Sequence, residues 1–150
     1  MPDSNLSARI RRRRVEAHEL PFVLECLEES LRSHIERVWG WFPERNREQF
    51  ESWIAAGQLD MIEFDSESAG VICVEARPEH LYIRSIFLRA AFRQRGIGAW
   101  LLAQTTREAE NSGRVVVLKV IRGNPALGLY ERLGFRQINE DPATLHMQYP

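Results

Sequence analysis

Apolar residues recur at helical spacing in two segments of the first third of the chain, and each predicts an amphipathic helix. The first helix is predicted over about residues 18–33, with Pro21 in its first turn. Its apolar face comprises Leu20, Val23, Leu24, Leu27 and Leu31. The second is predicted over about residues 44–56, with Phe50, Trp53 and Ile54 on one face. An aromatic loop from Trp39 to Pro43 separates them.

Short apolar runs bounded by polar turns predict the strands. Three runs follow the second helix with short turns between them, which predicts an antiparallel meander. The β-branched run at residues 115–121 predicts a strand buried on both faces. The predicted strands cover residues 8–12, 60–64, 70–76, 81–88, 115–121, 135–138 and 144–148.

Two further helices are predicted in the second half of the chain. One spans about residues 98–111, and the other follows Asn124-Pro125, which is typical of an N-cap and a first helical position. The order strand, helix, strand predicts a parallel pair with a right-handed crossover. The fold class is therefore mixed α/β, with about seven strands in one sheet and about four flanking helices.

Length and composition narrow the class of protein. A chain of 150 residues fits a single domain over residues 1–150, of which the polar residues 1–6 are expected to be disordered. A net charge of -1 disfavours a protein that coats nucleic acid, and no segment has the apolar length of a membrane span. Cys26 and Cys73 lie in apolar segments and are expected to be buried thiols, which suits the cytoplasm.

A glycine-rich turn between a predicted strand and a predicted helix indicates a phosphate or pyrophosphate site. Glycines allow close approach, the first helical turn has unpartnered N–H groups, and the helix dipole favours an anion. The turn comprises Arg93, Gln94, Arg95, Gly96, Ile97 and Gly98. Ala99-Trp100 excludes a nucleotide P-loop, and Leu101 excludes the dinucleotide fingerprint. The turn alone is equally compatible with a simple helix start.

A second motif follows at residues 124–135, where the sequence reads N-x-A-x-x-x-Y-x-x-x-G-F. With this pattern the chain resembles the GNAT superfamily, the acetyl-CoA-dependent N-acyltransferases. The glycine-rich turn is similar to that family's [QR]-x-x-G-x-[GA] signature, and residues 124–135 are similar to its following helix. The resemblance implies an enzyme that transfers an acetyl group from acetyl-CoA, its cosubstrate, to a primary amine.

The same resemblance implies a role for each matching residue. The backbone from Gln94 to Gly98, with Ala99 next, would hold the pyrophosphate, beside the charges of Arg93 and Arg95. Asn124 would hydrogen-bond the pantetheine arm, and Tyr130 would protonate the departing thiolate, which a phenol with a pKa near 10 can do. The strand edge that would pair with the pantetheine amides comprises Ile86, Phe87 and Leu88.

The general base is the weakest part of this prediction. The family often uses a carboxylate on the third of these strands, whereas Tyr82, Arg84 and Ser85 stand there in this chain. Glu75 is the best substitute, and a solvated strand end is the alternative for it. A weakly basic amine would need no strong base.

The acceptor pocket is expected near the first two helices, with His34, Trp39 and Trp41, together with Arg84. A hydrophobic plug between the helices is the alternative for the tryptophans. Two other functions stay open at this point, a non-catalytic acyl-CoA-binding sensor and an interaction module. A homodimer is possible, since dimers are common in the family.

Two further signals are set aside. The basic run Arg11–Arg14 is short and precedes acids, so a solvated strand end is favoured over a nucleic-acid patch. The four histidines have no metal-ligand spacing, so no metal site is predicted.

Overall fold

The computed structural model describes residues 4–150 and contains a seven-stranded mixed sheet with five α-helices. The strands are β1 (Ile10–Arg14), β2 (Leu59–Phe64), β3 (Glu67–Ala76), β4 (His80–Leu88), β5 (Val115–Ile121), β6 (Arg136–Glu140) and β7 (Thr144–Tyr149). The helices are α1 (Ser4–Arg9), α2 (Leu20–Trp39), α3 (Pro43–Ala55), α4 (Ile97–Asn111) and α5 (Leu127–Arg132). The strand order in the sheet is β1-β2-β3-β4-β5-β7-β6.

The described chain divides into two compact units. The first comprises the chain up to Cys73 together with Ser85–Ile97, and the second comprises Val74–Arg84 and Gly98–Pro150. Both β3 and β4 therefore pass from one unit to the other. The α/β class and the seven strands are confirmed, and the prediction of a single domain over residues 1–150 stays a prediction.

The first unit is built on the antiparallel strands β1, β2 and β3. Its core is formed by apolar faces of α2 and α3 against these strands, because the helical spacing of the apolar residues gives each helix one buried stripe. Cys26 and Cys73 are both fully buried there, as predicted, and they form no disulfide. Burial raises the pKa of Cys26 to about 12, so this thiol is not a nucleophile at neutral pH.

Gly70 allows the backbones of β3 and β4 to approach each other closely in the first unit. A Cβ atom at this position would lie 2.2 Å from the carbonyl oxygen of Phe87 and 2.9 Å from the Cα of Leu88. The amide of Arg89 donates to the carbonyl of Ala69 at 2.8 Å, which closes this end of the strand pair. Phe87 points into the core, where its ring meets that of Phe50 edge-on at 6.0 Å. The main chain of the end of β4 is thus fixed by packing.

The second unit is built around β5, which pairs with the start of β4 on one side and with β7 on the other. The β4–β5 pairing is parallel, as predicted from the strand, helix, strand order, and β7 and β6 extend the sheet in antiparallel fashion. Helix α4 buries Leu101, Leu102, Thr105 and Ala109, the face that its spacing predicts.

Several boundaries differ from the sequence prediction. The first strand begins at Ile10 because residues 4–9 form α1, so residues 4–6 are helical where disorder is expected; residues 1–3 lie outside the described part. Helix α2 continues to Trp39, which the sequence places in a loop. The last helix begins at Leu127, two residues later than Pro125. The described residues form five α-helices, whereas about four are predicted. The additional helix is α1, whose six residues are too few to show helical spacing in the sequence.

The prediction that β5 is buried on both faces is wrong. Val116, Leu118 and Val120 are buried, but Lys119 is exposed and the other residues of the strand are half-buried. A β-branched run does not distinguish a fully buried strand from one with a partly covered face. Within the part of the chain that the structure describes, no helix is both long and apolar enough to span a bilayer.

Candidate active site

The glycine-rich turn has the backbone conformation of an anion site. Gln94 and Gly96 both have positive φ angles, of 59° and 82°, and α4 begins at Ile97 directly after them. Left-handed residues within a turn direct successive N–H groups to one side. The first turn of α4 adds amides without intrahelical acceptors, and no acidic residue lies there to compete with an anion. Residues Arg93–Gly96 are exposed, so a ligand can reach them.

The two arginines of the turn are in different surroundings. Arg93 is attached to its own unit, because its Nε donates to the carbonyl of Leu88 at 3.0 Å and its Nη2 donates to Ser30 Oγ at 2.9 Å. The guanidinium of Arg95 lies over the rings of Phe64 and Phe92, at 5.5 and 5.9 Å from the ring centroids. Arg95 therefore stacks beside the turn, and its side chain is exposed.

The end of β4 presents main-chain groups next to this turn. Among the described residues, the pairing of β4 with β5 covers only His80–Ile83, and it stops before Ile86. The carbonyl of Leu88 accepts hydrogen bonds from Ser30 Oγ at 3.0 Å and from Arg93, which occupies both of its lone pairs. Of the three residues predicted to pair with pantetheine, Leu88 thus has its carbonyl already engaged.

Asn124 and Tyr130 lie together in the second unit, at the start of α5 and within it. The Oδ1 of Asn124 accepts from the amide of Ala126 at 2.9 Å, so the side chain closes a turn just before α5, whose N-cap residue is Ala126. The Tyr130 side chain is buried, with its ring 5.8 Å from that of Phe135. Burial raises the pKa of Tyr130 to about 12, so the phenol keeps its proton at neutral pH.

Glu75, the predicted base, lies within a group of charges in the second unit. Its carboxylate accepts from Arg84 Nε at 2.8 Å and from Arg77 Nε at 3.2 Å. The hydrogen bonds from Arg77 and then from Arg84 lower the pKa of Glu75. A carboxylate with a lowered pKa is ionised at neutral pH but accepts a proton weakly.

The basic run in β1 is paired with acids of the first unit. Arg12 and Arg14 both reach Asp60, and Arg13 reaches Glu63 and Glu19. In the β1–β2 register Arg14 lies directly opposite Asp60, and the alternation of the strand places Arg12 on the same face as Arg14. The interpretation of this run as a solvated strand end therefore fits the ion pairs.

Comparison with known protein families decides the assignment. A family model described as "Acetyltransferase (GNAT) family" matches residues 21–135. The chain belongs to the GNAT family of acetyltransferases. The resemblance seen in the two motifs is thereby confirmed, and with it the activity: the chain is an acyltransferase that uses acetyl-CoA as cosubstrate and an amine as acceptor.

Solved structures share the fold of this acetyltransferase. PaiA N-acetyltransferase of Thermoplasma acidophilum, solved with coenzyme A, has a TM-score of 0.77 and 19% identity over 93% of this chain and 98% of its own. Naa50 of Arabidopsis thaliana, solved with a bisubstrate analogue, has a TM-score of 0.67 and 20% identity over 95% of this chain and 99% of its own.

A third structure is the acetyl transferase of Salmonella typhimurium that modifies the N-terminal serine of a 50S ribosomal subunit protein. It has a TM-score of 0.69 and 19% identity over 96% of this chain and 95% of its own. At these identities the likeness is one of fold. A comparison with curated proteins gives no match.

The four residues predicted for the acceptor pocket of the acetyltransferase are not brought to one described cavity. A cavity of about 310 Å³ in the first unit lies between α2 and α3, and Trp41 lines it with the guanidinium of Arg32 at 5.2 Å from its ring. His34 is half-buried and Trp39 is 52% exposed, and neither lines this cavity. Arg84 belongs to the second unit.

The sequence analysis missed two polar residues of α2, Glu29 and Ser30, which hydrogen-bond to the end of β4 and to the residues that follow it. Their partners are 58 and 61 positions away, so helical spacing gives no sign of them. In the sequence they stand out only as polar residues between Leu27 and Leu31, two apolar positions of the helix.

Proposed function

We propose that the turn holds the pyrophosphate of acetyl-CoA on the backbone N–H groups of Gln94–Gly98 and Ala99, with Arg95 supplying charge. The left-handed conformation of Gln94 and Gly96, directly before the start of α4, is the observation that carries this proposal. The exposure of Arg93–Gly96 and the lack of an acid in the first turn of α4 support it.

The acyl chain and its reaction are proposed to use the end of β4 and the start of α5. The main chain of Ile86 and Phe87, which lies beyond the β4 residues paired with β5, would hydrogen-bond the pantetheine arm, with Asn124 as a further donor or acceptor. The neutral amine attacks the thioester carbonyl, a C–N bond forms, and the C–S bond breaks. Tyr130 gives its proton to the departing sulfur, and its raised pKa keeps it protonated for that step.

The proton that the amine loses after its attack passes to solvent water in this proposal. Because Arg77 and Arg84 lower the pKa of Glu75, we propose that Glu75 mainly positions Arg84. The acceptor amine then reacts only through the fraction of its molecules that is already unprotonated. Holding the two substrates side by side in the reactive orientation then supplies most of the rate enhancement, without a covalent enzyme intermediate.

The acceptor is proposed to be a primary amine that contacts the first two helices. Trp41, His34 and Trp39 are the proposed contacts there, and Arg84 would meet a polar group of the acceptor. One solved structure of this fold is of an enzyme that modifies the N-terminal serine of a ribosomal protein, and another was solved with the bisubstrate analogue CoA-Ac-MVNAL. Short peptides with a free N-terminus therefore belong in the first acceptor screen, beside polyamines, amino acids and aminoglycosides.

The test is a thiol-release assay with acetyl-CoA across these amines, for the wild type, Tyr130→Phe and Tyr149→Phe. Tyr149 is the matched control, because it is in the same unit and its hydroxyl donates to Glu110 at 2.8 Å. We expect Tyr130→Phe to lower kcat by about 100-fold with little change in KM for acetyl-CoA, as removal of a general acid does. Equal rates for Tyr130→Phe and the wild type would contradict the role of Tyr130.

The sensor hypothesis gives a different result in the same assay. A non-catalytic acyl-CoA-binding protein would bind coenzyme A tightly and release no thiol with any amine. The ion pairs of Glu75 are the one observation that favours it, since they leave this carboxylate a weak base.

A cytoplasmic location and a homodimer are also proposals. Two buried cysteines that form no disulfide suit a reducing compartment. Sedimentation velocity at micromolar concentration would distinguish a dimer from a monomer.

A further inference from the structure

Ser30 links α2 to the end of β4 through a closed set of three hydrogen bonds. Its Oγ donates to the carbonyl of Leu88 at 3.0 Å, and the same oxygen accepts from Arg93 Nη2 at 2.9 Å. Arg93 Nε in turn donates to the Leu88 carbonyl at 3.0 Å. A serine hydroxyl has one donor and can also accept, so both functions of this side chain are used.

Glu29, the preceding residue of α2, binds the next part of the same connection. Its carboxylate accepts from the amide of Ala90 at 2.6 Å and lies 3.5 Å from the Nε of Arg89. A hydrogen bond from a backbone amide to an ionised carboxylate is stronger than one between neutral groups. Two consecutive residues of one helix thus hold Leu88 and Ala90, on either side of Arg89.

These bonds restrict the segment that enters the glycine-rich turn. The Leu88 carbonyl has both lone pairs occupied, and the short 3₁₀ turn at Ala90–Phe92 follows at once. The position of Gln94 and its neighbours depends on where this segment starts. The guanidinium of Arg93 is directed back to Leu88 and Ser30. Arg95 instead stacks on Phe64 and Phe92, and its charge helps to lower the pKa of Asp65.

We propose that Ser30 and Glu29 are positioning residues for acetyl-CoA binding, and that Arg93 fastens the β4–α4 connection to α2 and is not a ligand of the pyrophosphate. This inference rests on the proposed function of the turn. It assigns the first arginine of the motif a role within the protein and leaves Arg95 as the cation for the diphosphate.

The first test is a double-mutant cycle on acetyl-CoA kinetics. Ser30→Ala and Arg93→Gln are each expected to raise KM for acetyl-CoA by about fivefold, since each removes hydrogen bonds of about 1 kcal/mol. The double variant is expected to show nearly the same rise as the single variants, because one network is lost only once. KM for the amine is expected to change little, and the thermal midpoint is expected to fall by about 2–4 °C, as a loss of about 1 kcal/mol predicts.

Ser33→Ala is the matched control, because Ser33 is an exposed serine of the same helix. It is expected to leave KM for acetyl-CoA unchanged. A rise of KM in the double variant that equals the product of the two single rises would contradict the proposal. A Ser30→Ala variant with the same KM as Ser33→Ala would contradict it as well.

Salt dependence separates a fastening arginine from a phosphate ligand. The coenzyme A dissociation constant, measured by calorimetry from about 50 to 500 mM salt, should have the same slope in Arg93→Gln as in the wild type, because no ion contact with the ligand is lost. Arg95→Gln should have a shallower slope. A shallower slope in Arg93→Gln would overturn the proposal.

A readout without ligand keeps this inference separate from the proposed function. Should the wild type fail to bind coenzyme A, the proposed function is wrong, and the network can still be measured by amide hydrogen exchange. Glu29→Ala is expected to speed exchange at the Ala90 amide by about tenfold, with the thermal midpoint little changed. Unchanged exchange at Ala90 would show that Glu29 does not hold this segment.

Discussion

At the scale of single residues, burial decides the protonation state of Tyr130. Because burial raises its pKa to about 12, the hydroxyl is a proton donor over the whole range in which most amines become neutral. We predict that kcat rises with pH as the amine loses its proton and does not fall between about pH 8 and 10, where an ordinary tyrosine would begin to ionise. A pH profile of kcat checks this, and a decline centred near pH 9 would contradict it.

Glu75 illustrates the opposite shift. Its hydrogen bonds from Arg77 and Arg84 lower its pKa, so it is ionised well below neutral pH. We predict that Glu75→Gln lowers kcat by less than about tenfold and leaves the shape of the pH profile unchanged, since the residue orients Arg84. Loss of the acidic limb of the profile in this variant would show that Glu75 is the base after all.

The residues of the proposed site stand in sequence motifs, but the partners that they have in the structure could not be predicted. Arg93 and Arg95 look equivalent in the motif, yet one is bound to Leu88 and Ser30 and the other stacks on Phe92. Such contacts join residues that are far apart in the chain and depend on how the elements pack. Helical or strand periodicity carries no information on them.

At the scale of elements, the approach of β3 to β4 depends on Gly70. A methyl group there would lie 2.2 Å from the Phe87 carbonyl oxygen, so the strands would have to separate at the proposed pantetheine edge. We predict that Gly70→Ala lowers the free energy of unfolding by about 1–3 kcal/mol and raises KM for acetyl-CoA. Denaturant unfolding and initial rates measure both.

Gly128→Ala is the control for this prediction. Gly128 lies in α5, where a Cβ atom would meet only the end of the flexible Arg132 side chain, at 3.3 Å. Alanine is favoured over glycine in a helix by up to about 1 kcal/mol, so this variant should be as stable as the wild type or slightly more stable. An equal loss of stability in both variants would refute the steric account of Gly70.

Strongly periodic elements could be predicted from the sequence, and short or irregular ones could not. The limits of β5 agree with its β-branched run, whereas α1 has only six residues and no apolar stripe. Helix α2 passes through Trp39 because nothing before Gly40, whose φ is 84°, stops it. Trp39 suggests a loop when it is grouped with Gly40 and Trp41, but it continues the helix when it is grouped with the residues that precede it.

At the scale of the whole molecule, charge pairing predicts how stability depends on pH. Two hydrogen bonds from Arg13, at 2.8 and 2.7 Å, lower the pKa of Glu19 to about 2. A carboxyl group with a lowered pKa in the folded state stabilises it above about pH 4, and that contribution is lost as the pH falls towards 2. The raised pKa of Tyr130 acts in the other direction, and its contribution is lost as the pH rises from about 10 to 12.

We therefore predict a thermal midpoint that is highest near neutral pH and falls on both sides. Glu19→Gln should have a lower midpoint at pH 7 and a smaller fall between about pH 5 and 2 than the wild type. Calorimetric melting over this pH range tests it, and identical acid limbs in the two proteins would contradict the role of the Arg13–Glu19 pair.

The central claim is that a left-handed turn before α4 binds the diphosphate of the acyl donor. Titration calorimetry with coenzyme A tests it most directly in the wild type, Gly96→Glu and Gly113→Glu, since Gly113 has a similar φ of 69° at the far end of α4. We expect saturable binding in the wild type, its loss in Gly96→Glu and its retention in Gly113→Glu. Absence of binding in the wild type, or undiminished affinity in Gly96→Glu, would contradict it.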